Sequence, residues 1–151
     1  MHLNIKITRI PTIRGAMPPI PSYATPGAAA VDLFANIDDS MTIAAGETAI
    51  IPSGIAIGIP ADNYVGLIFV RSGVAVSKGL SLANGAGVID SDYTGEIKIV
   101  VRNLSSSPAT INPLERVAQL MIVPNTRIVF DEVDALDATA RGGGGFGSTG
   151  Q

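Results

Sequence analysis

Asn84-Gly85-Ala86-Gly87-Val88-Ile89-Asp90-Ser91-Asp92-Tyr93-Thr94-Gly95-Glu96, followed by Ile97-Lys98-Ile99-Val100-Val101, decides the fold. Ile97, Ile99 and Val101 alternate with Lys98 and Val100, the period of a strand with one face buried. Ser91–Gly95 supplies turn residues between that run and Val88-Ile89, so the segment reads as a hairpin. The same period recurs on either side. Leu3, Ile5 and Ile7 alternate with polar residues, and Ile55, Ile57 and Ile59 with Ala56 and Gly58. Further β-rich runs occupy Ala49–Pro52, Tyr64–Val70, Val117–Val123 and Arg127–Phe130. Pro52, Pro60, Pro108, Pro113 and Pro124 fall between runs, where a missing N–H is tolerated. No long window keeps a helical period. Ser72–Lys78 can make a turn of helix, and Glu132–Ala140 is the best longer candidate, though acidic and poor in apolar face. Many short strands at close spacing imply an antiparallel sandwich or barrel in one domain.

Composition narrows the chemistry. The 151 residues contain no Cys and one His, His2. That excludes disulfide scaffolds, thiolate metal sites, a thiol nucleophile and, within one chain, a Ser-His-Asp triad. Ten Lys and Arg against thirteen Asp and Glu give a net charge of −3, too weak a field to suggest direct nucleic-acid or membrane binding. No apolar run is long enough to span a bilayer and the start lacks the pattern of a secretory signal, so a cytoplasmic location is expected. Carboxylates, hydroxyls, amides, Arg, Lys and backbone groups are what remains for catalysis.

Five segments offer such groups. Ala29–Ala35 places Asp32 inside a small apolar run. Arg71-Ser72-Gly73 closes the run Leu67–Val70, suiting a phosphate cradle or, more plainly, a helix cap at Ser72. In the opening segment, Asp90 directly follows two apolar residues, where a carboxylate would be part-buried and strengthened as a proton acceptor for water. The plainer alternative is a turn whose side chains satisfy local backbone. Arg116-Val117-Ala118-Gln119 sets an amide in an apolar strand, where it needs a partner. Arg141–Gly150 has six glycines in ten positions, interrupted by Arg141, Phe146, Ser148 and Thr149. Its formal G-x-G-x-x-G match fails as a dinucleotide fingerprint, because only Gln151 follows. It reads as a costly segment to order, either a plain tail or a flap carrying a phosphate fork, a stacking ring and hydroxyls.

In this order the five segments resemble the five motifs of the trimeric dUTP nucleotidohydrolases, with Ile89-Asp90-Ser91-Asp92-Tyr93 and Phe146-Gly147-Ser148-Thr149-Gly150 the most specific. The resemblance implies a jelly-roll-like β-barrel over residues 1–140 and an arm over 141–151 that closes an active site of another subunit in a homotrimer. It implies Mg²⁺-dependent hydrolysis of dUTP to dUMP and pyrophosphate. Asp90 would activate the attacking water. Asn84 and the backbone at Gly87, Val88 and Ile89 would read uracil, with Lys98 beside them and Tyr93 under the deoxyribose. Arg71, Ser72, Gly73 and Gln119 would hold phosphates; Arg141, Ser148 and Thr149 would close on them, with Phe146 over the base. Asp32 would meet the metal through water. One departure is Ala30, where the family usually has Gly. The related dCTP deaminases, and a jelly-roll scaffold with a decayed site, are the competing readings.

Overall fold

The alternation of Ile97, Ile99 and Val101 is realised as expected: all three side chains are fully buried. In this computed structural model, which describes residues 2–145, Ile99 and Val101 belong to the central strand of a three-stranded sheet and Ile97 immediately precedes it. In chain order the elements are β1 (Lys6–Arg9), β2 (Val31–Phe34), β3 (Met41–Ile43), β4 (Thr48–Pro52), β5 (Ile55–Gly58), β6 (Tyr64–Val70), α1 (Ser72–Lys78), β7 (Leu80–Leu82), β8 (Gly87–Ile89), β9 (Lys98–Asn103), β10 (Ala109–Ile111) and β11 (Arg116–Pro124).

Every pairing between these strands is antiparallel. They form four sheets: β2-β11-β6-β8, β4-β9-β7, β1-β5 and β10-β3. The all-β expectation holds. The closed barrel does not, since among the described residues the ladders stop at sheet edges instead of joining into one cylinder. One core serves all four sheets, drawing on Leu33, Ile43, Ile51, Ile55, Ile68 and Ile111 besides the β9 residues. Each such side chain contributes about 1.5–3 kcal/mol when removed from water.

The hairpin expected from residues 84–96 is also revised. β8 pairs with β6, whereas β9 lies between β4 and β7 in another sheet. The reason is steric complementarity across β6 and β8. Gly66 faces Ile89 and Gly87 faces Ile68, and a Cβ on either glycine would stand only 3.0–3.1 Å from the opposing isoleucine. The chain between β8 and β9 therefore crosses from one sheet to the other.

The short helix forms over the expected Ser72–Lys78, but its N-cap is Arg71, without a side-chain capping bond, so Ser72 is not the cap. Gly79 ends it in the left-handed region at φ 65°, where a Cβ would meet Ser105 at 2.6 Å. Beyond β11 the chain makes neither the strand expected at 127–130 nor the helix expected at 132–140. Val129 and Phe130 are 96% and 88% exposed. Strand propensity needs a neighbouring ladder to act on, and this segment has none within its own chain.

Candidate active site

The candidate residues fall into two groups along β6, one past its C-terminal end and one on β8, which pairs with Gly66–Ile68. The first lies at the C-terminal end of β6. β11 sits between β2 and β6, which sets Gln119 directly across from Asp32 on one side and Phe69 on the other. Arg71 follows β6, and its backbone N–H donates to Val117 O at 3.0 Å. Its side-chain Nε lies 2.9 Å from Asp32 Oδ1, and Arg116 Nη1 lies 3.1 Å from Asp32 Oδ2. Asp32 is buried, so its carboxylate is held on each oxygen by a different guanidinium. Ser72 and Gly73, in the first turn of α1, are exposed beside this cluster, and Gln119 is half-buried. Arg71, Ser72, Gly73, Gln119 and Asp32 are thus gathered as the sequence suggested. Arg116 was singled out only as a neighbour of Gln119, and its pairing with Asp32 was not foreseen.

A salt bridge braces this end. Lys78 Nζ at the close of α1 lies 2.7 Å from Glu115 Oε1, just before β11, and also donates to Thr110 O. Burial alone pushes the Glu115 carboxyl up, but hydrogen bonds from Lys78 and from the Asn112 backbone outweigh it and leave Glu115 below its ordinary value.

The second group lies where β8 leaves β6. Among the described residues β8 is an edge strand, so one side of Gly87–Ile89 has no ladder partner and leaves N–H and C=O groups unpaired by strand bonds. The turn holding Asn84 precedes it, with Gly85 at φ 79° and its N–H on Leu82 O. Ala83 N–H donates to Val100 O, which brings this turn near the start of β9, where Lys98 is exposed. Val88 points outward and is exposed.

After β8 the chain turns at once: Tyr93 N–H donates to Asp90 O at 3.1 Å. Tyr93 folds its ring over Gly95 and donates from Oη to Glu96 O at 2.8 Å. A Cβ on Gly95 would stand 2.6 Å from that Oη, so only glycine permits this stacking. Asp90 borders a polar cavity of about 250 Å³ with Tyr64, Ser91 and Arg127, and its side chain is exposed. The partial burial expected at Asp90 is not supplied by the described residues of its own chain: three-residue β8 ends at Ile89 and the Asp90 side chain is exposed.

Arg71 and the Asp90 turn are far apart within one chain: Ile89 pairs with Gly66, and Arg71, just past the end of β6, comes five residues later, about 17 Å at the rise of a strand. Arg141 is exposed, with Nε donating to Gly144 O at 2.9 Å in a local turn. Phe146, Ser148 and Thr149 lie outside the described residues. Among the described residues, no group of three or more His, Cys, Asp or Glu could hold a metal, and no helix is long and apolar enough to cross a membrane.

Small antiparallel sheets over one core, with paired arginines on a carboxylate past the end of β6 and an open strand edge on β8 leading into a carboxylate turn, define an all-β protein with two polar clusters flanking one central strand. Residues 17–150 match the dUTPase family model, and the chain belongs to that family. It is 46% identical over 147 residues to a deoxyuridine 5'-triphosphate nucleotidohydrolase of Desulfitobacterium hafniense, covering 97% of both chains. It is 48% identical over 132 residues to the enzyme of that name from Thiobacillus denitrificans, covering 87% of this chain and 90% of the other. Among solved structures, a variant of the Staphylococcus bacteriophage 80alpha dUTPase with dUpNHpp superposes with a TM-score of 0.85 at 24% identity, covering 98% of this chain and 99% of that one. A phage phi11 dUTPase variant, described with a structural Mg(II) ion, gives a TM-score of 0.77 at 22% identity, covering 89% and 99%.

Proposed function

We propose that this protein hydrolyses dUTP to dUMP and pyrophosphate, with Mg²⁺, as a cytoplasmic homotrimer. The observation that carries the reading is one loop that holds a base reader and a proton acceptor together: the open edge of β8, Tyr93 stacked on Gly95, and Asp90 between them. In-plane backbone donors and acceptors at Gly87, Val88 and Ile89, with the Asn84 turn, distinguish uracil from cytosine, which exchanges donor for acceptor on that edge. Lys98 flanks this pocket through its backbone. Tyr93 lies under the deoxyribose and leaves no room for a 2′-hydroxyl.

Hydrolysis at the α-phosphorus asks for positioning and charge neutralisation more than for a protein nucleophile. Asp90 accepts a proton from water as the water oxygen bonds to the α-phosphorus. The bond from that phosphorus to the bridging oxygen breaks, and pyrophosphate leaves with the electron pair. Arg71, Ser72, Gly73 and Gln119 hold the phosphates. Arg71 lies about 17 Å along the strand direction from the residue that faces Ile89, further than an Arg side chain reaches, which supports a site completed by residues of a second subunit. The segment 141–151 forms an arm separate from the β domain of residues 1–140. It closes on a site with Arg141, Ser148 and Thr149 on the phosphates and Phe146 over the base, which excludes water.

Asp32 is the carboxylate of the phosphate end and would hold Mg²⁺ through water, the hard-oxygen ligand type that ion takes. When bound, the ion would neutralise charge on the phosphates.

The test is pyrophosphate release with dUTP, dCTP, dTTP and UTP side by side in the presence of Mg²⁺. Selective turnover of dUTP is expected, and ammonia release from dCTP would favour the deaminase reading instead. Asp90→Asn is expected to keep nucleotide binding while turnover falls at least a thousandfold, as general-base loss implies. Retained turnover would remove Asp90 from its role.

A further inference from the structure

The pairing of Arg116 with Asp32 depends on a defect in the sheet. Along β11, Leu120 faces Val31, Gln119 faces Asp32 and Ala118 faces Leu33, but Phe34 is faced by Arg116, not Val117. One extra residue is inserted, a β-bulge. In an unbroken ladder Arg116 would share a face with Ala118, and Val117 would share one with Gln119. The bulge turns Arg116 onto the Asp32 and Gln119 side and lets Val117 and Ala118 both be fully buried.

We infer that Arg116 is a positioning residue for the phosphate end of the site: it anchors Asp32 so that Arg71 is free to transfer to the triphosphate. The geometry supports this division of labour. Each arginine uses one nitrogen on a separate carboxylate oxygen, so Arg71 can leave without stripping Asp32 of its partner. Two guanidiniums against one carboxylate leave a net charge of +1, matched to an incoming polyanion. Arg71 Nη1 also lies 3.5 Å from Arg116 O, so the same residue borders Arg71 from its backbone. Arg116 is half-exposed on the surface end of the strand and acts through Asp32 and Arg71.

This inference rests on the dUTP reading, and its test separates the two. Wild-type turnover of dUTP is established first; its absence would sink the activity and not the anchor. Arg116→Gln, Arg116→Lys, Asp32→Asn and the double variant Asp32→Asn/Arg116→Gln are then compared for binding of dUMP and of a non-hydrolysable dUTP analogue by calorimetry, with and without Mg²⁺. The expected result for Arg116→Gln is about tenfold weaker binding of the triphosphate analogue and a matching rise in KM, with dUMP binding, kcat and thermal midpoint little changed. Arg116→Lys is expected to restore part of the loss. The double variant is expected to be no worse than Asp32→Asn alone, the sign of residues acting through one another. Equal weakening of dUMP and triphosphate, a loss confined to the thermal midpoint, or additive effects of the two substitutions would each overturn the proposal.

Discussion

Gly95→Ala probes the loop proposed to hold the sugar without touching any group assigned to chemistry. The new Cβ would stand 2.6 Å from Tyr93 Oη and 2.8 Å from Cζ. Ordinary contact begins near 3.4 Å, so the ring must retreat by roughly 0.8 Å and give up its bond to Glu96 O. The hydrogen bond is on an exposed turn and its loss costs about 0.5–1.5 kcal/mol, a fall of only a few degrees in Tm for a chain of this size. Function should suffer far more. A misplacement approaching 1 Å at a substrate-positioning group costs up to about a hundredfold. We therefore expect kcat/KM for dUTP to drop ten- to a hundredfold in a steady-state pyrophosphate assay, with discrimination against UTP reduced. Tyr93→Phe removes the same hydrogen bond but leaves the ring in place, and should stay within a few-fold of wild type. If Gly95→Ala and Tyr93→Phe behave alike, ring position is not what the glycine protects, and the stacking argument fails.

Two further perturbations follow from other parts of the structure. Deleting residues 141–151 should leave the β fold and its oligomeric state unchanged by circular dichroism and light scattering, while turnover of dUTP falls at least a hundredfold; a truncated enzyme of normal rate would reduce the segment to a tail. For Glu115, whose folded-state carboxyl titrates below its ordinary value, the bridge to Lys78 contributes stability above about pH 4.3 and loses it as pH falls through the lower folded value. The difference in Tm between wild type and Glu115→Gln, a few degrees at pH 7 for a partly exposed pair, should shrink progressively as pH falls below about 4.3; a constant difference on acidification would contradict the assigned pairing.

What could be read from the sequence was local. β6 begins at Tyr64 and ends at Val70 as the apolar run does, and α1 stops where Gly79 permits a left-handed turn. The buried alternation of β9 was equally plain. Arg71, Ser72 and Gly73 could be placed at a strand end because strand and helix meet there without a loop. The illegible parts all depended on contacts between distant segments. Val88-Ile89 and Ile97–Val101 look like two arms of a hairpin until Gly66, some twenty residues earlier, accepts Ile89. Nothing in Arg116-Val117-Ala118-Gln119 announces a bulge, since two consecutive buried residues also occur in regular strands with both faces covered. Arg127–Phe130 has strand-forming residues and no strand, because propensity is realised only against a partner.

An unpaired strand edge is ordinarily a hazard, because it invites another chain to zip onto it and grow into an aggregate. β8 keeps the hazard small by being three residues long and by running straight into Asp90 and Asp92, whose charges repel a second copy of the same loop. A polypeptide finds too little ladder there to hold, whereas a ligand the size of one planar base would need no more than that. The brevity of β8 thus selects by size before any hydrogen bond is tested, and leaves backbone groups open to a small ligand without leaving them open to a second copy of the chain.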